Sequence, residues 1–163
     1  MRSSFLCAIL PLAVCLSAAA AERLTARQVI ERIQKNVGVP WQTQTVDTFK
    51  AGDPDTVVTG IATSFTDSYD VLERAAASGK NLIISHEPSF YNHLDETKWL
   101  ENDPVFRQKI DFIREHHMVV FRFHDHWHMR TPDGIQTGMV HALGWESFRM
   151  RSCSITSRCP KPR

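Results

Sequence analysis

Histidines gather in one short segment of this sequence, FRFHDHWHM at residues 121–129. His124, His126 and His128 alternate there with an aspartate and a tryptophan, and seven of the chain's eight histidines fall between His86 and His128. Imidazole nitrogens combined with carboxylate oxygens suit zinc, iron, manganese and similar divalent ions. The segment therefore indicates metal chemistry.

A second polar cluster, His86-Glu87-Pro88, lies further upstream and directly follows the apolar run NLIIS at 81–85. His124 follows a similar run, MVVFRF at 118–123. Ligands of open parallel sheets bind beyond the carboxyl ends of the strands. If residues 124–128 stay extended, the three alternating histidines share one face. The two clusters thus supply candidate metal ligands at one edge of the sheet: His86, Glu87, Asp125 and the three alternating histidines, His124, His126 and His128.

The remaining histidines have more ordinary interpretations. His116 and His117 lie at a predicted helix C-terminus, where an imidazolium is favoured by the helix dipole. His141 lies inside the last predicted helix, which favours a structural role. For His93, in FYNHLDE, two interpretations stay open: it orients a metal ligand, or it is a surface-loop histidine.

Strand-like and helix-like segments alternate along the chain, which predicts an α/β fold with a mainly parallel or mixed sheet flanked by helices. Thr25 and Gln28 form a capping-box pattern, and Asp103-Pro104 is a second helix start. Further helices are predicted at about 68–78 and from Asp133-Gly134 to Gly144. The predicted strands are residues 56–63, 81–85 and 118–123.

Composition excludes several classes of function. The 163 residues carry a formal net charge of +1, so no overall field favours nucleic acid or a membrane surface as a partner. The sequence contains no G-x-S-x-G elbow, no P-loop and no G-x-G-x-x-G, and no serine lies in a nucleophile context.

The two ends differ in composition from the rest of the chain. One positive charge, the apolar run FLCAILPLAVCL and an Ala-x-Ala pattern predict a signal peptide over residues 1–21. A periplasmic or secreted protein without a membrane anchor is therefore expected after cleavage. Residues 22–149 then form the α/β domain, and residues 150–163 form an irregular basic tail.

Several motifs, in this order, resemble the Nif-three-like dinuclear metal-centre proteins, which are also known as GTP cyclohydrolase type-two homologues. The order is VDTFKAGD (46–53), VVTGIAT (57–63), a helix, LIISHEPSFYNH (82–93) and RFHDHWH (122–128). The resemblance covers roughly residues 24 to 146. It implies the N-terminal half of an α/β fold of two related halves, assembled as a ring-shaped homo-oligomer.

The resemblance also implies two divalent metals at the strand ends. One ligand pair in the family comes from a His-His-Pro motif, matched here by His86 and Glu87. Another comes from a His-x-x-x-Asp motif, matched by His124 and His128. Histidine stands at the aspartate position, so Asp125 or His126 is an alternative ligand. The ligand set that the resemblance implies is His86, Glu87, His124, Asp125 and His128. The family's late His-x-x-x-Glu pair has no match, which suggests a C-terminally truncated member with a half-built site.

Two functional hypotheses follow from these expectations. The first is an exported, metal-dependent hydrolase of a small molecule that the sequence does not identify. The second is a non-catalytic metal-binding or assembly module, or an inactive truncated fragment.

Overall fold

The structure is a computed structural model that describes residues 23–148. The predicted signal peptide (1–21) and basic tail (150–163) lie outside the described residues and stay predictions. The helices and strands in chain order are α1 (Ala26–Asn36), β1 (Phe49–Ala51), β2 (Ile61–Ser64), α2 (Tyr69–Ala77), β3 (Leu82–Ser85), α3 (Pro104–Glu115), β4 (Val119–Arg122), α4 (Asp125–His128) and α5 (Gly134–Ala142), with 3-10 turns at Lys98–Leu100 and Glu146–Phe148.

The strands form one four-stranded sheet in the order β1-β4-β3-β2. β2, β3 and β4 are mutually parallel, whereas β1 pairs antiparallel with β4. The sheet is therefore mixed but mostly parallel, and the predicted α/β class is confirmed. β1 was not predicted as a strand, because three residues are too few to show an alternating pattern.

Local signals begin the helices where the sequence predicts. The Thr25 hydroxyl accepts a hydrogen bond from Gln28 N–H, and the Gln28 side chain accepts one from Thr25 N–H, which completes the capping box of α1. Asp103 caps α3 by accepting from Val105 N–H and Phe106 N–H. These bonds satisfy backbone donors that the first helical turn leaves unpaired.

Both faces of the sheet carry apolar side chains. Ile83 and Val120 pack against α2 and α3 through buried residues that include Leu72 and Ile113. Their sequence neighbours Leu82 and Val119 point to the opposite face and pack against α1 through Ala26. Burial on both faces explains why β3 and β4 are continuous apolar runs in the sequence.

The first predicted strand is shorter than expected. Residues 56–63 were predicted, but β2 covers only Ile61–Ser64, and Val57 forms an isolated bridge with Thr25. Gly60 accepts the backbone N–H groups of Asn81 and Leu82 where β2 and β3 begin. In the described part of the chain, no helix is long and apolar enough to cross a membrane.

Asp67, between β2 and α2, is almost fully buried, and Lys109 Nζ lies 3.3 Å from its Oδ2. Burial raises the pKa of the Asp67 carboxyl more than Lys109 lowers it. A raised folded-state pKa stabilises the protein below the unfolded pKa, and this stabilisation is lost as pH rises through the folded pKa.

Asp67→Asn should therefore gain stability relative to the wild type as pH rises above about 4, by at most about 1.4 kcal/mol per pH unit. Urea denaturation of both proteins at several pH values measures this difference. If the difference in unfolding free energy between the two proteins stayed constant with pH, the raised pKa of Asp67 would be contradicted.

Candidate metal centre

Three of the five predicted ligands meet beyond the carboxyl ends of β3 and β4. His86 directly follows β3, and His124 lies two residues beyond β4. The two strands are hydrogen-bonded neighbours in parallel register, with Ser85 opposite Arg122. One ligand atom from each of His86, His124 and His128 lies within 4.8 Å of the others. We call these three residues the three-histidine centre.

The segment after β4 is not extended, so the condition for a shared face of the three alternating histidines is not met. Residues Asp125–His128 form the single helical turn α4, so the three alternating histidines do not share one face. Residues four apart lie on the same side of a helix, which brings His128 beside His124 and turns His126 away. The ring centroids of His124 and His128 are 4.7 Å apart.

His126 is a structural residue, which corrects its place among the alternative ligands. Its ring is fully buried and stacks on Trp41 with 3.6 Å between centroids. Its Nδ1 lies 2.7 Å from an Asp47 carboxylate oxygen, and its Nε2 accepts a hydrogen bond from Gln42 N–H at 2.8 Å. Both ring nitrogens are occupied, so neither is available to a metal.

Asp47 holds the helical turn in place. Its Oδ1 accepts hydrogen bonds from His124 N–H at 2.6 Å and Asp125 N–H at 2.9 Å. Its Oδ2 accepts from His126 N–H at 2.9 Å. Asp47 is buried and lies just before β1, so a loop distant in sequence supplies the N-terminal cap of α4.

Each imidazole of the three-histidine centre has its Nδ1 occupied by an oxygen. His86 Nδ1 lies 3.1 Å from the Phe123 carbonyl, which can only accept a hydrogen bond. His128 Nδ1 lies 2.6 Å from the Asp133 carboxylate. His124 Nδ1 lies 3.0 Å from an Asp125 carboxylate oxygen. Each Nδ1 is therefore placed to donate to its oxygen, and a ring oriented in this way presents its Nε2 to a ligand.

The carboxylates that orient these rings are ionised. Hydrogen bonds from Gln136 N–H and then from His128 lower the pKa of Asp133. Burial alone would raise the pKa of Asp125, but hydrogen bonds from Val46 N–H, the His124 ring and the Thr45 hydroxyl lower it to about 2. Carboxylate partners of this kind are typical of metal-ligating histidines, because they fix the tautomer and increase ligand basicity.

The two closest Nε2 atoms, those of His86 and His128, are 3.1 Å apart. Two lone pairs at this distance repel each other unless a proton or a metal ion lies between them. Two nitrogens bound to one tetrahedral zinc at about 2.0–2.1 Å would lie roughly 3.3 Å apart. The observed spacing therefore fits a divalent metal held by both rings.

The electrostatic state of His86 also fits a neutral ligand. Burial is the largest cause of the lowered pKa of His86. The hydrogen bond to the Phe123 carbonyl opposes it, and the neighbouring His124 and His128 lower the pKa further. A lowered pKa keeps the imidazole unprotonated, which metal binding requires. Three imidazoles form a donor set that catalytic zinc sites use, with a further position open to water or substrate.

Glu87 and Asp125, the other two predicted ligands, lie outside the clustered donors. Glu87 Oε2 lies 3.9 Å from Arg122, and its side chain is 34% exposed. Asp125 Oδ2 accepts hydrogen bonds from the Thr45 hydroxyl at 2.8 Å and Val46 N–H at 3.0 Å. Direct ligation by these two carboxylates stays a prediction, and the structure shows Asp125 orienting His124.

His93 lies beside the centre without joining it. Its ring meets the His124 ring edge to face at 5.5 Å between centroids. Arg122, fully buried at the end of β4, lies 3.3 Å from His93 Nδ1 and also donates to the His86 carbonyl. A guanidinium only donates hydrogen bonds, so it ties the loop that carries His93 to the strand end behind the centre.

The three remaining histidines lie away from the centre, as predicted. His116 ends α3 and stacks on Phe112, and the next residue, His117, has a positive φ of 49°. His141 in α5 is exposed and pairs with Glu146 at 3.0 Å.

Sequence reasoning missed the residues that hold the ligands in place. Asp133 was identified only as a helix start; it does cap α5 through Gln136 N–H, but it also orients His128. Asp47 and Trp41 were not singled out for the site at all. The usable signal was the five-residue spacing of His128 and Asp133, which allows a contact across the turn that follows α4.

Comparisons with known proteins identify the fold. No protein-family profile and no curated protein match this sequence. Among solved structures, the chain is similar to the Staphylococcus aureus hypothetical protein SA1388 (TM-score 0.60, 23% identity, 77% of this chain and 35% of that chain). It is also similar to a Bacillus cereus protein related to NIF3 (TM-score 0.62, 16% identity, 76% of this chain and 34% of that chain).

These matches confirm the fold that the resemblance implied. The chain has the NIF3-related fold over about three quarters of its length. It spans about a third of the length of those two solved chains. Reduced HcgD from Methanocaldococcus jannaschii is a more distant match (TM-score 0.50, 14% identity, 74% of this chain and 47% of that chain).

Proposed function

We propose that this protein binds a divalent metal ion, zinc, iron or manganese, at the three-histidine centre and uses it to hydrolyse a small molecule. The observation that supports this most directly is the 3.1 Å approach of the His86 and His128 Nε2 atoms, each with its Nδ1 bonded to an oxygen. Two Nε2 atoms in this arrangement can bind one shared cation.

Different residues would bind the ion and orient the rings that bind it. His86, His124 and His128 would hold the ion, while Asp133, Asp125 and the Phe123 carbonyl fix the orientations of the rings. A divalent cation supplies Lewis-acid chemistry, which activates water and polarises a substrate oxygen. Arg122 adds a fixed positive charge behind the His86 carbonyl.

The number of metals per chain differs from what the resemblance implies. Two metals are expected of a dinuclear centre, but within residues 23–148 only one group of three or more potential ligands comes together. The proposal is therefore for about one ion per described domain. This observation also favours the second candidate, a metal-binding module without turnover, because a lone ion lacks the partner of a two-metal mechanism.

Metal content of the purified protein, measured by elemental mass spectrometry beside a His86→Ala variant, tests the proposal. We expect about one ion per wild-type chain and a small fraction of that in the variant. Well-folded wild-type protein without metal would contradict metal binding. Bound metal without chelator-sensitive turnover of phosphoester, anhydride or acyl substrates would favour the non-catalytic module.

A further inference from the structure

A cavity of about 530 Å³ lies beside the three-histidine centre, between α1, the ends of β2 and β3, and the start of α5. This volume is within the range of small-molecule sites. It is lined by Ile33, Asn36, Val37, Thr63, Ser64, Ile84, Ser85, His86, Phe123, Trp127 and Ile135.

The lining is mostly apolar, and its polar residues lie at the strand ends and, as Asn36, at the end of α1. Ile33 and Val37 lie in and directly after α1, Ile84 lies in the sheet, and the ring centroids of Phe123 and Trp127 are 5.6 Å apart. An apolar cavity with few polar groups at one place is typical of sites for small organic ligands.

His86 belongs to both features, because its ring lines the cavity and its Nε2 faces His128 in the centre. The cavity and the proposed metal site are therefore adjacent, because they share the His86 side of the sheet edge. Thr63 and Ile84 are partners in the β2–β3 pair, and both residues line the cavity.

Charge determines which kind of ligand head fits. His86, His124 and His128 are neutral when they bind through Nε2, so they cancel none of the charge of a divalent cation. The carboxylates of Asp125 and Asp133 contact only the far side of the rings. An anionic group is the natural complement of a cation held in this way.

We propose that the cavity binds the apolar part, an aromatic ring or branched alkyl group, of an anionic small molecule whose charged head is held at the three-histidine centre. This inference rests on the proposed function, because the charged head needs the metal. It names the substrate class of that site: carboxylates or phosphates that carry a bulky apolar group.

Binding of acetate and phenylacetate to the zinc-loaded full-length chain tests the proposal by isothermal titration calorimetry. Both probes offer the same carboxylate, and only phenylacetate offers a ring to the cavity. We expect phenylacetate to bind at least about tenfold more tightly than acetate, since a buried phenyl group contributes that much or more. Removal of zinc should weaken both.

Asn36→Trp tests the position of the ring. Asn36 ends α1, is exposed and lines the cavity. An indole at this position would fill the cavity and leave His86, His124 and His128 unchanged. Lys35→Trp, one residue earlier and outside the lining, is the matched control. We expect Asn36→Trp to remove the preference for phenylacetate while acetate affinity and zinc content stay unchanged, and Lys35→Trp to preserve the preference.

The outcomes separate the two proposals. A wild-type chain without zinc overturns the proposed function and this inference with it. Zinc bound, with equal affinity for both probes, overturns this inference alone. Equal affinities together with a change of oligomeric state in Asn36→Trp would mean that a second copy of the chain covers the cavity, which also overturns it. Phenylacetate binding that is independent of zinc would contradict the shared site.

Discussion

Replacing Asp47 by alanine is expected to lower the free energy of unfolding by about 4 kcal/mol and to abolish metal binding at the three-histidine centre. The Asp47 carboxylate is buried and accepts hydrogen bonds from three consecutive backbone N–H groups and from the His126 ring. Alanine would leave these donors buried without partners, and each such donor costs about 1–3 kcal/mol.

Metal binding would be lost because Asp47 determines where α4 begins. His124 N–H and Asp125 N–H are both bonded to its Oδ1, and the turn that starts there brings His128 back toward His86. Without the cap, residues 124–128 can adopt the extended form that their alternating pattern allows, and His128 would then leave the centre.

Urea denaturation and elemental mass spectrometry of Asp47→Ala measure the two effects. Asp55→Ala is the matched control, because Asp55 forms an exposed ion pair with Arg27 at 2.8 Å, a contact worth about 1 kcal/mol or less. If Asp47→Ala unfolded at the same urea concentration as Asp55→Ala and kept its metal, the capping role of Asp47 would be wrong.

The elements that position the site were predictable where local chemistry defines them. Continuous apolar runs predicted β3 and β4, and the polar residues that follow each run placed His86 and His124 at one edge of the sheet. That inference needed only the rule that ligands lie beyond the carboxyl ends of parallel strands. The capping residues Thr25 and Asp103 predicted α1 and α3 in the same local way.

The helical turn α4 was not predictable from its own residues. An alternation of histidine with aspartate and tryptophan is the pattern of a strand, and four residues are too few for a helical period. The turn forms because Asp47 accepts N–H groups from residues 77 to 79 positions later in the chain. Such a contact depends on tertiary structure, so it leaves no signal in the segment itself.

The same limit applies to the roles of the individual histidines. His126 and His128 have similar neighbours in sequence, yet one is sealed against Trp41 and the other is half-exposed beside Asp133. β1 was missed for a related reason, since its three residues form a strand only through pairing with β4.

The different roles of His126 and His128 can be measured by comparing His128→Ala with His126→Ala. His128→Ala should abolish metal binding and leave the metal-free fold nearly as stable as the wild type, because the His128 side chain is 38% exposed and its bond to Asp133 lies at the surface. His126→Ala should destabilise the metal-free fold by about 2–4 kcal/mol, because it leaves a cavity at a buried site and removes the hydrogen bond between the His126 ring and the buried Asp47 carboxylate.

Thermal unfolding with and without zinc distinguishes the two roles. A ligand that binds only the folded state at 100 times its Kd stabilises that state by about 2.7 kcal/mol. Zinc should therefore raise the Tm of the wild type and not that of His128→Ala. His126→Ala should begin from a lower Tm and still respond to zinc below that temperature, since it retains all three proposed ligands. If both variants lost the response equally without any difference in their metal-free Tm, the division between a ligating and a structural histidine would be wrong, and all three alternating imidazoles would have to act together.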